Sequence, residues 1–579
     1  MMKLELNKLS KKDLQEIILK MENCLSEEQK QKLYEFVQEH NKICTKEDNV
    51  PMQMSQEFVD EKMQQIEKWQ QQIDDGKIYL DVEEYEEYED YSEGYWESDL
   101  IIEYYDNQEI GDKIMSMINF AKDCVNDRHY QEACTIYEWL WEMSVCTYLE
   151  YDEESDAVDL EILEENNIIN TDIKQLALLT LYTEYQNVDK QERAEALYCY
   201  FSYYTFQKLH IEDMFYIGRE TLKDSEQFWE DWINLLKTKK GNKEANLLKE
   251  AILYCDGIEN LLKMADENVS IHPSLYLAAI TEYDAKHRYA EMEKAAEKAL
   301  EKIDKNLVIR GEIALKAATA SDYLQHKENV MRFCWECFRS NSTVRNYLRL
   351  FITEEMAQKY GVQGAKSIIN SIKHNNKYYE ENSELRQNIL RDAEYYTLNF
   401  YMGNFETIKK MSQNPSGSLG WSYSYIRIGI RLFLLYLYEN PVLSKAGAVT
   451  EAYIGFEDSK ELENMLFFER DIIQESHEHK VSMFWNCFQR WKKYFPMEQA
   501  EKKKYLDWAE KIVYSRADAI VSGQHRCQYA EVAVLLAMVG EVKECMGIAG
   551  AKKEIFAEYK SKFPRHSSFQ AEMKTYFIE

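Results

Sequence analysis

Hydrophobic residues recur at helical spacing along most of the chain. Leu14, Ile17 and Met21 share one face of a predicted helix, and Ser26, followed three positions later by Gln, marks the start of the next. Only 6 prolines and 19 glycines interrupt the 579 residues. That is too few for the frequent turns of a β-sandwich or the glycine-rich loops of a doubly wound sheet. The pattern therefore predicts an all-α protein.

Helical hairpins are predicted where short polar turns separate amphipathic runs. Segment 126–133 carries an aromatic and then a small residue after its turn, which permits two antiparallel helices to approach closely. Segments 190–197 and 287–295 repeat the arrangement at separations that do not reduce to one period. Residues 152–159 are acidic and are predicted to form a turn. We therefore expect an irregular α-solenoid of antiparallel hairpins, similar to a tetratricopeptide superhelix.

Changes in composition predict three parts of the chain. The first, 1–112, holds N-terminal helices and ends in an acidic, tyrosine-rich segment at 74–112. The second, 113–412, is the predicted repeat region. A Pro/Gly/Ser cluster then separates it from a C-terminal helical domain at 421–579.

The segment 74–112 differs from the rest of the chain in charge. It contains 16 Asp and Glu and a single Lys, and so supplies nearly half of the net charge of −33. In one interpretation an amphipathic helix and loop pack tyrosines inward and expose carboxylates. In the other, the carboxylates mimic phosphates and the rings stack against a partner. The candidate partner-binding residues, the first three of which would share a helix face, are Tyr85, Tyr88, Tyr91, Tyr95 and Trp96.

No motif predicts an enzymatic activity. Cys334 and Cys337 form a CxxC pair inside an amphipathic run, without a preceding strand or a second ligand pair, which favours packed core thiols. His477 and His479 are two apart and would point to different sides of a helix, which favours a solvated helix end over a metal site. Glycine-rich phosphate loops and nucleophile elbows are missing from the sequence. We therefore predict no catalytic residue, metal or cofactor.

Targeting and membrane signals are also missing. The chain opens without the apolar core of a signal peptide, and the most apolar stretch, 428–438, is too short to span a bilayer. The 12 cysteines are scattered, as is typical of reduced thiols. We expect a cytoplasmic protein.

The C-terminal hundred residues carry a recognisable pattern. In order, it comprises His525-Arg526, Val534-Leu-Leu-Ala537, Gly540-Glu541, Gly550-Ala-Lys552, Tyr559, Phe563-Pro-Arg565 and Phe569-Gln-Ala-Glu572. This pattern resembles the C-terminal helical region of bacterial SWIM zinc-finger family proteins. The Cys-x-Cys and Cys-x-His pairs of the finger do not occur, so the resemblance implies a helical scaffold without a zinc or DNA-binding role. A small basic and aromatic face is expected from Arg526, Lys552, Tyr559 and Arg565.

These observations together predict a non-catalytic interaction scaffold. Its partner is expected to be a protein or peptide, with no direct binding of nucleic acid and no membrane association. Aromatic runs such as Phe215-Tyr216 and Phe228-Trp229 are predicted to form inter-helix core, with an exposed subset available to line a partner groove. Two alternatives stay open: an acidic decoy that blocks a nucleic-acid-binding protein, and an enzyme whose site is assembled only by the tertiary structure.

Overall fold

The computed structural model is mostly helical. It describes residues 54–88, 98–149, 153–375, 384–413, 418–421, 425–454 and 483–578. The helix predicted around Leu14, the pair His477 and His479, and the candidates Tyr91, Tyr95 and Trp96 lie outside these residues. The prediction of a mainly helical chain is confirmed, although small sheets accompany the helices.

The chain divides into two compact units. The first unit comprises Met1–Val82 and Tyr104–Leu176, and the second comprises Glu83–Glu103 and Ala177–Glu579. In chain order, the elements up to residue 187 are α1 (Gln56–Asp74), β1 (Leu80–Tyr88), β2 (Ser98–Tyr105), α2 (Ile110–Asn126), α3 (Tyr130–Glu142), β3 (Val145–Leu149), β4 (Glu153–Val158), α4 (Leu160–Glu165) and α5 (Ile173–Asn187).

Helices α2 and α3 form the hairpin that the sequence predicts at 126–133. Arg128 takes a left-handed conformation (φ 73°), and the backbone N–H of His129 donates to the carbonyl of Cys124 at 2.8 Å. This bond from the second residue after the capping residue Asp127 back into the last helical turn is the Schellman ending. The turn therefore closes without glycine.

The main sheet lies where the sequence predicted a helix and a turn. Its strand order is β2-β1-β3-β4, with β1 parallel to β3 and β3 antiparallel to β4. Leu80 and Val82 are buried two residues apart, which is the period of a strand. The helical interpretation of Tyr85 and Tyr88 is therefore wrong, because both belong to β1.

The prediction of a turn at 152–159 is also wrong, because these residues pair with another strand. Residues Glu153–Val158 form β4, and Val145 of β3 is paired with Val158, which is buried. Pairing with a partner strand thus overrides an acidic local composition that disfavours strands.

The rest of the described chain is mainly helical. Up to residue 371 its helices are α6 (Arg193–Tyr200), α7 (Tyr204–Gln207), α8 (Ser225–Thr238), α9 (Asn242–Cys255), α10 (Ile258–Glu267), α11 (Ser274–Ala285), α12 (Tyr289–Lys302), α13 (Ile309–Tyr323), α14 (Lys327–Ser340), α15 (Val344–Arg349), α16 (Glu354–Met356) and α17 (Gln363–Ser371).

Two short strands, β5 (Lys373–His374) and β6 (Ile389–Leu390), follow and pair in parallel. The remaining helices are α18 (Asp392–Tyr401), α19 (Phe405–Met411), α20 (Ile426–Leu437), α21 (Lys445–Tyr453), α22 (Met483–Lys492), α23 (Gln499–Ser522), α24 (Tyr529–Cys545), α25 (Ala551–Lys562) and α26 (Ser567–Phe577). Short 3₁₀ segments occupy Ile211–Tyr216 and Arg526–Gln528, and Ala357–Gly361 is a π-helix.

From α8 to α14, each pair of consecutive helices packs together. We call these seven helices, residues 225–340, the helix ladder. The predicted turn at 287–295 is confirmed within the ladder, because α11 ends at Ala285 and α12 begins at Tyr289. Glycine permits a close approach of α13 to the end of α14. A Cβ at Gly311 would lie 2.7 Å from the Cβ of Asn341, the residue that follows α14.

The C-terminal helices are arranged differently. Helix α24 is buried along most of its length and packs against α20, α21, α23, α25 and α26. We call these six helices the C-terminal bundle. None of the helices in the described residues is both long and apolar enough to cross a membrane.

Candidate interaction surface

The acidic segment 74–112 contributes in part to the core. Leu80, Val82 and Ile110 are buried, so deleting the segment would remove apolar packing as well as charge. Tyr85 is 43% exposed, and its hydroxyl donates a hydrogen bond to Glu103 Oε1 at 2.7 Å. The role of the exposed carboxylates in binding a partner stays a prediction.

The predicted basic face near the C-terminus is only partly exposed. Arg526 and Arg565 lie at the surface. Lys552, in contrast, forms an ion pair with Glu541 (Nζ–Oε1 2.7 Å) and its side chain is 14% exposed. The ring of Tyr559 is buried against Tyr514 and Phe569. Tyr559 therefore contributes to packing, and the charge of Lys552 is already balanced.

The CxxC pair lies in the core of the helix ladder. Cys334 and Cys337, both on α14, are 2% and 0% exposed. Burial raises the pKa of Cys334 to about 12 and that of Cys337 to about 11, so both thiols stay protonated at neutral pH. The interpretation as packed core thiols is confirmed. Across the described residues, no group of three His, Cys, Asp or Glu is arranged to hold a metal ion.

An exposed pair of tyrosines lies where the 3₁₀ segment Ile211–Tyr216 faces α9. The segment buries Ile211 and Met214 and leaves Tyr216 59% exposed. Tyr254, in the last turn of α9, is 46% exposed, and the two hydroxyl oxygens are 3.4 Å apart. Beneath them the buried indole of Trp229 lies 5.1 Å from the Tyr254 ring. The exposed Tyr254 ring thus packs on a buried tryptophan, and Tyr216 lies beside it.

Two carboxylates accompany these rings. Glu250 precedes Tyr254 by four residues, one helical turn, and its Oε1 lies 3.2 Å from His210 Nδ1. Glu212 precedes Tyr216 in the 3₁₀ segment, and its Oε2 is buried without a hydrogen-bond partner. We call Glu212, Tyr216, Glu250 and Tyr254 the Tyr216–Tyr254 surface.

Burial dominates the electrostatics of the Tyr216–Tyr254 surface. It raises the pKa of Glu250, and the nearby Glu212 carboxylate adds to the rise, against the opposing charges of His210 and Lys249. The hydrogen bond with Tyr216, together with burial, raises the pKa of Tyr254. Aromatic faces and carboxylates both attract cations. A lysine or arginine side chain would therefore fit this surface.

The sequence analysis placed Tyr216 in a predicted inter-helix core with Phe228 and Trp229. Phe228 and Trp229 are indeed buried, whereas Tyr216 belongs to the exposed subset that was expected to line a partner groove. Glu212 and Glu250 had no signal in the sequence, since they meet only through the packing of the 3₁₀ segment on α9. No family model matches this chain, and neither a curated protein nor a solved structure matches it.

Proposed function

We propose that this chain is a non-catalytic interaction scaffold built as an irregular α-solenoid of tetratricopeptide-like hairpins. The neighbour-to-neighbour packing of the helix ladder supports this class, because solenoid repeats contact mainly the repeats next to them. The resemblance of residues 500–575 to the helical region of SWIM zinc-finger family proteins is part of the same proposal.

A recurring turn also supports helical repeats. In the part of the chain that the structure describes, eight residues with positive φ are each followed by an N–H that bonds to the carbonyl five residues earlier: Gly76, Arg128, Asn167, His287, Gln325, Gly403, Gln524 and Gly547. Their successive separations are 52, 39, 120, 38, 78, 121 and 23 residues. Five of these seven values are close to one, two or three times about 40 residues, a repeat length typical of helical arrays, and the first and last are not, which fits an irregular array.

More particularly, the proposed scaffold acts in the cytoplasm and binds a lysine- or arginine-rich segment of a protein partner at the Tyr216–Tyr254 surface. The observation that carries this proposal is the buried, unpartnered Oε2 of Glu212 beside two exposed tyrosines. A buried carboxylate oxygen without a donor is costly, and an incoming guanidinium or ammonium group would remove that cost. Its apolar stem would cover the tyrosine rings.

The test uses a fluorescently labelled oligoarginine peptide and the full chain in an anisotropy titration. Because the whole chain is acidic, the comparison is between variants. We expect Glu212→Gln and Tyr216→Ala each to weaken binding about tenfold, the equivalent of about 1.4 kcal/mol. The matched control Glu226→Gln, at an exposed position of α8, should bind as the wild type does. Equal losses in Glu212→Gln and Glu226→Gln would contradict the proposal.

A further inference from the structure

Three helices of the C-terminal bundle bring two arginines and one glutamate together below the surface. Arg431 of α20 contacts Oε1 of Glu531, on α24, at 3.1 Å. Arg516 of α23 contacts Oε2 of the same carboxylate at 2.9 Å. The side chains of Arg431, Arg516 and Glu531 are 2%, 5% and 7% exposed, respectively. One carboxylate is thus shared by two enclosed guanidinium groups.

The cluster holds more positive than negative charge. A third guanidinium, that of Arg427, lies one turn before Arg431, and both contact the ring of Tyr453 at 4.3 Å and 4.0 Å. Burial lowers the pKa of Arg431 against the opposing effect of Glu531. Burial also acts to raise the pKa of Glu531, but the two arginines outweigh it and lower that pKa. Glu531 is therefore ionised, yet it balances only one of its two partners.

Three buried N–H donors in this cluster have no hydrogen-bond partner among the described residues: Arg431 Nε, Arg516 Nε and Trp421 Nε1. Trp421 belongs to the cluster because the Arg516 guanidinium lies 4.9 Å from the centre of its ring. Other guanidinium donors are satisfied by neutral oxygens, as Arg516 Nη1 is by the carbonyl of Ser418 at 3.1 Å. Buried polar groups are nearly always paired, so three donors without a partner in the described part of the chain, beside two guanidinium groups that share one carboxylate, point to an anionic acceptor.

We propose that this cluster binds a small oxyanion, a phosphate or a carboxylate group, accepted by the N–H groups of Arg431, Arg516 and Trp421. Such an anion would offset positive charge that Glu531 leaves unbalanced. It would also give each orphaned donor a charge-assisted hydrogen bond. Tyr453, which contacts Arg431 and is 36% exposed, connects the cluster to the surface.

The test follows thermal unfolding of the full chain while inorganic phosphate or acetate is added, with sodium chloride at matched ionic strength as the reference. We expect phosphate, acetate or both to raise Tm saturably above the chloride reference. Stabilisation by acetate alone would identify the ligand as a carboxylate, and stabilisation by phosphate alone would identify it as a phosphate. If neither raises Tm beyond chloride, the proposal is wrong and water satisfies the three donors.

Two variants locate the effect. Trp421→Phe keeps the ring and removes one donor, so it should weaken anion binding about tenfold while the chain stays folded. Arg516→Gln should abolish the stabilisation. Trp508→Phe is the matched control, because Trp508 lies on α23 with its ring 5.2 Å from that of Phe433, and it should respond as the wild type does. A Tm increase that is the same in Trp421→Phe and the wild type would place the anion elsewhere and overturn the proposal.

Discussion

At the scale of single residues, His272 is a buried ionisable group outside the two proposed sites, and both of its ring nitrogens contact acceptors. It is fully buried, with Nδ1 3.1 Å from Glu384 Oε1 and Nε2 3.2 Å from the carbonyl of Leu236. Both neighbours are acceptors, and only the protonated imidazole donates from both nitrogens. Burial acts to lower the pKa of His272, but the bonds to Glu384 and Leu236 outweigh it and raise the pKa.

The raised pKa of His272 determines how the stability of the fold changes with pH. A raised folded-state pKa stabilises the fold fully below the unfolded value of about 6.5, and the contribution disappears as pH rises through the folded value. We expect His272→Gln to cost about 1.5–3 kcal/mol near the acidic end of that window and progressively less at higher pH. Thermal unfolding of both proteins from about pH 6 to pH 9 measures the difference.

The control for this pH series is His525→Gln, because His525 is exposed. Its Tm should follow that of the wild type throughout. A constant gap between His272→Gln and the wild type at every pH would show that the neutral imidazole suffices, contrary to the expectation.

Contacts between individual side chains were also the hardest feature to predict from the sequence. Glu384, the partner of His272, lies 112 residues away in the sequence. Glu531, the partner of Arg431, lies 100 residues away. No local pattern signals such pairs, because tertiary packing alone decides which buried charges meet. The CxxC pair was predictable, since Cys334 and Cys337 fall within a continuous amphipathic run and need no distant partner.

At the scale of elements, helices and hairpin turns were predictable where local signals sufficed. The turn at 126–133 was found although its left-handed residue is Arg128 rather than glycine. Strands β1 and β4 were missed, because both are acidic and are stabilised by pairing with β3. Helical spacing of tyrosines is no evidence of a helix where a partner strand is available.

The helix ladder and the C-terminal bundle should respond separately to cavities. Leu275 of α11 and Leu536 of α24 are both fully buried, so Leu→Ala at either costs about 2–5 kcal/mol. Hydrogen exchange followed by mass spectrometry should show Leu275→Ala accelerating exchange in α9–α13 and sparing α24–α26. Leu536→Ala should do the reverse, because each helix transmits the loss to the helices it contacts.

The two variants serve as controls for each other, since the chemical change is the same. If both accelerated exchange equally across residues 225–577, the helices would form one cooperative core. That outcome would contradict the solenoid proposal.

At the scale of the whole molecule, net charge is a poor guide to where a partner binds. The stretch 74–112 holds nearly half of the charge of −33, yet part of it packs into a core. The Tyr216–Tyr254 surface needs only two carboxylates, and one of them has a buried oxygen without a donor. Local desolvation is therefore the basis on which we propose this surface, which overall composition does not single out.

We propose that a basic segment of a partner protein binds the Tyr216–Tyr254 surface. The most direct measurement replaces Tyr216 with a photo-crosslinking benzoylphenylalanine in the native cell and identifies the attached peptides by mass spectrometry. The same replacement at Ile548, which is 47% exposed on the C-terminal bundle, is the control. We predict lysine- and arginine-rich peptides that are attached at position 216, absent at position 548 and lost when Glu212→Gln is added. The same peptides at both positions, or crosslinks at 216 that persist with Glu212→Gln, would contradict the account.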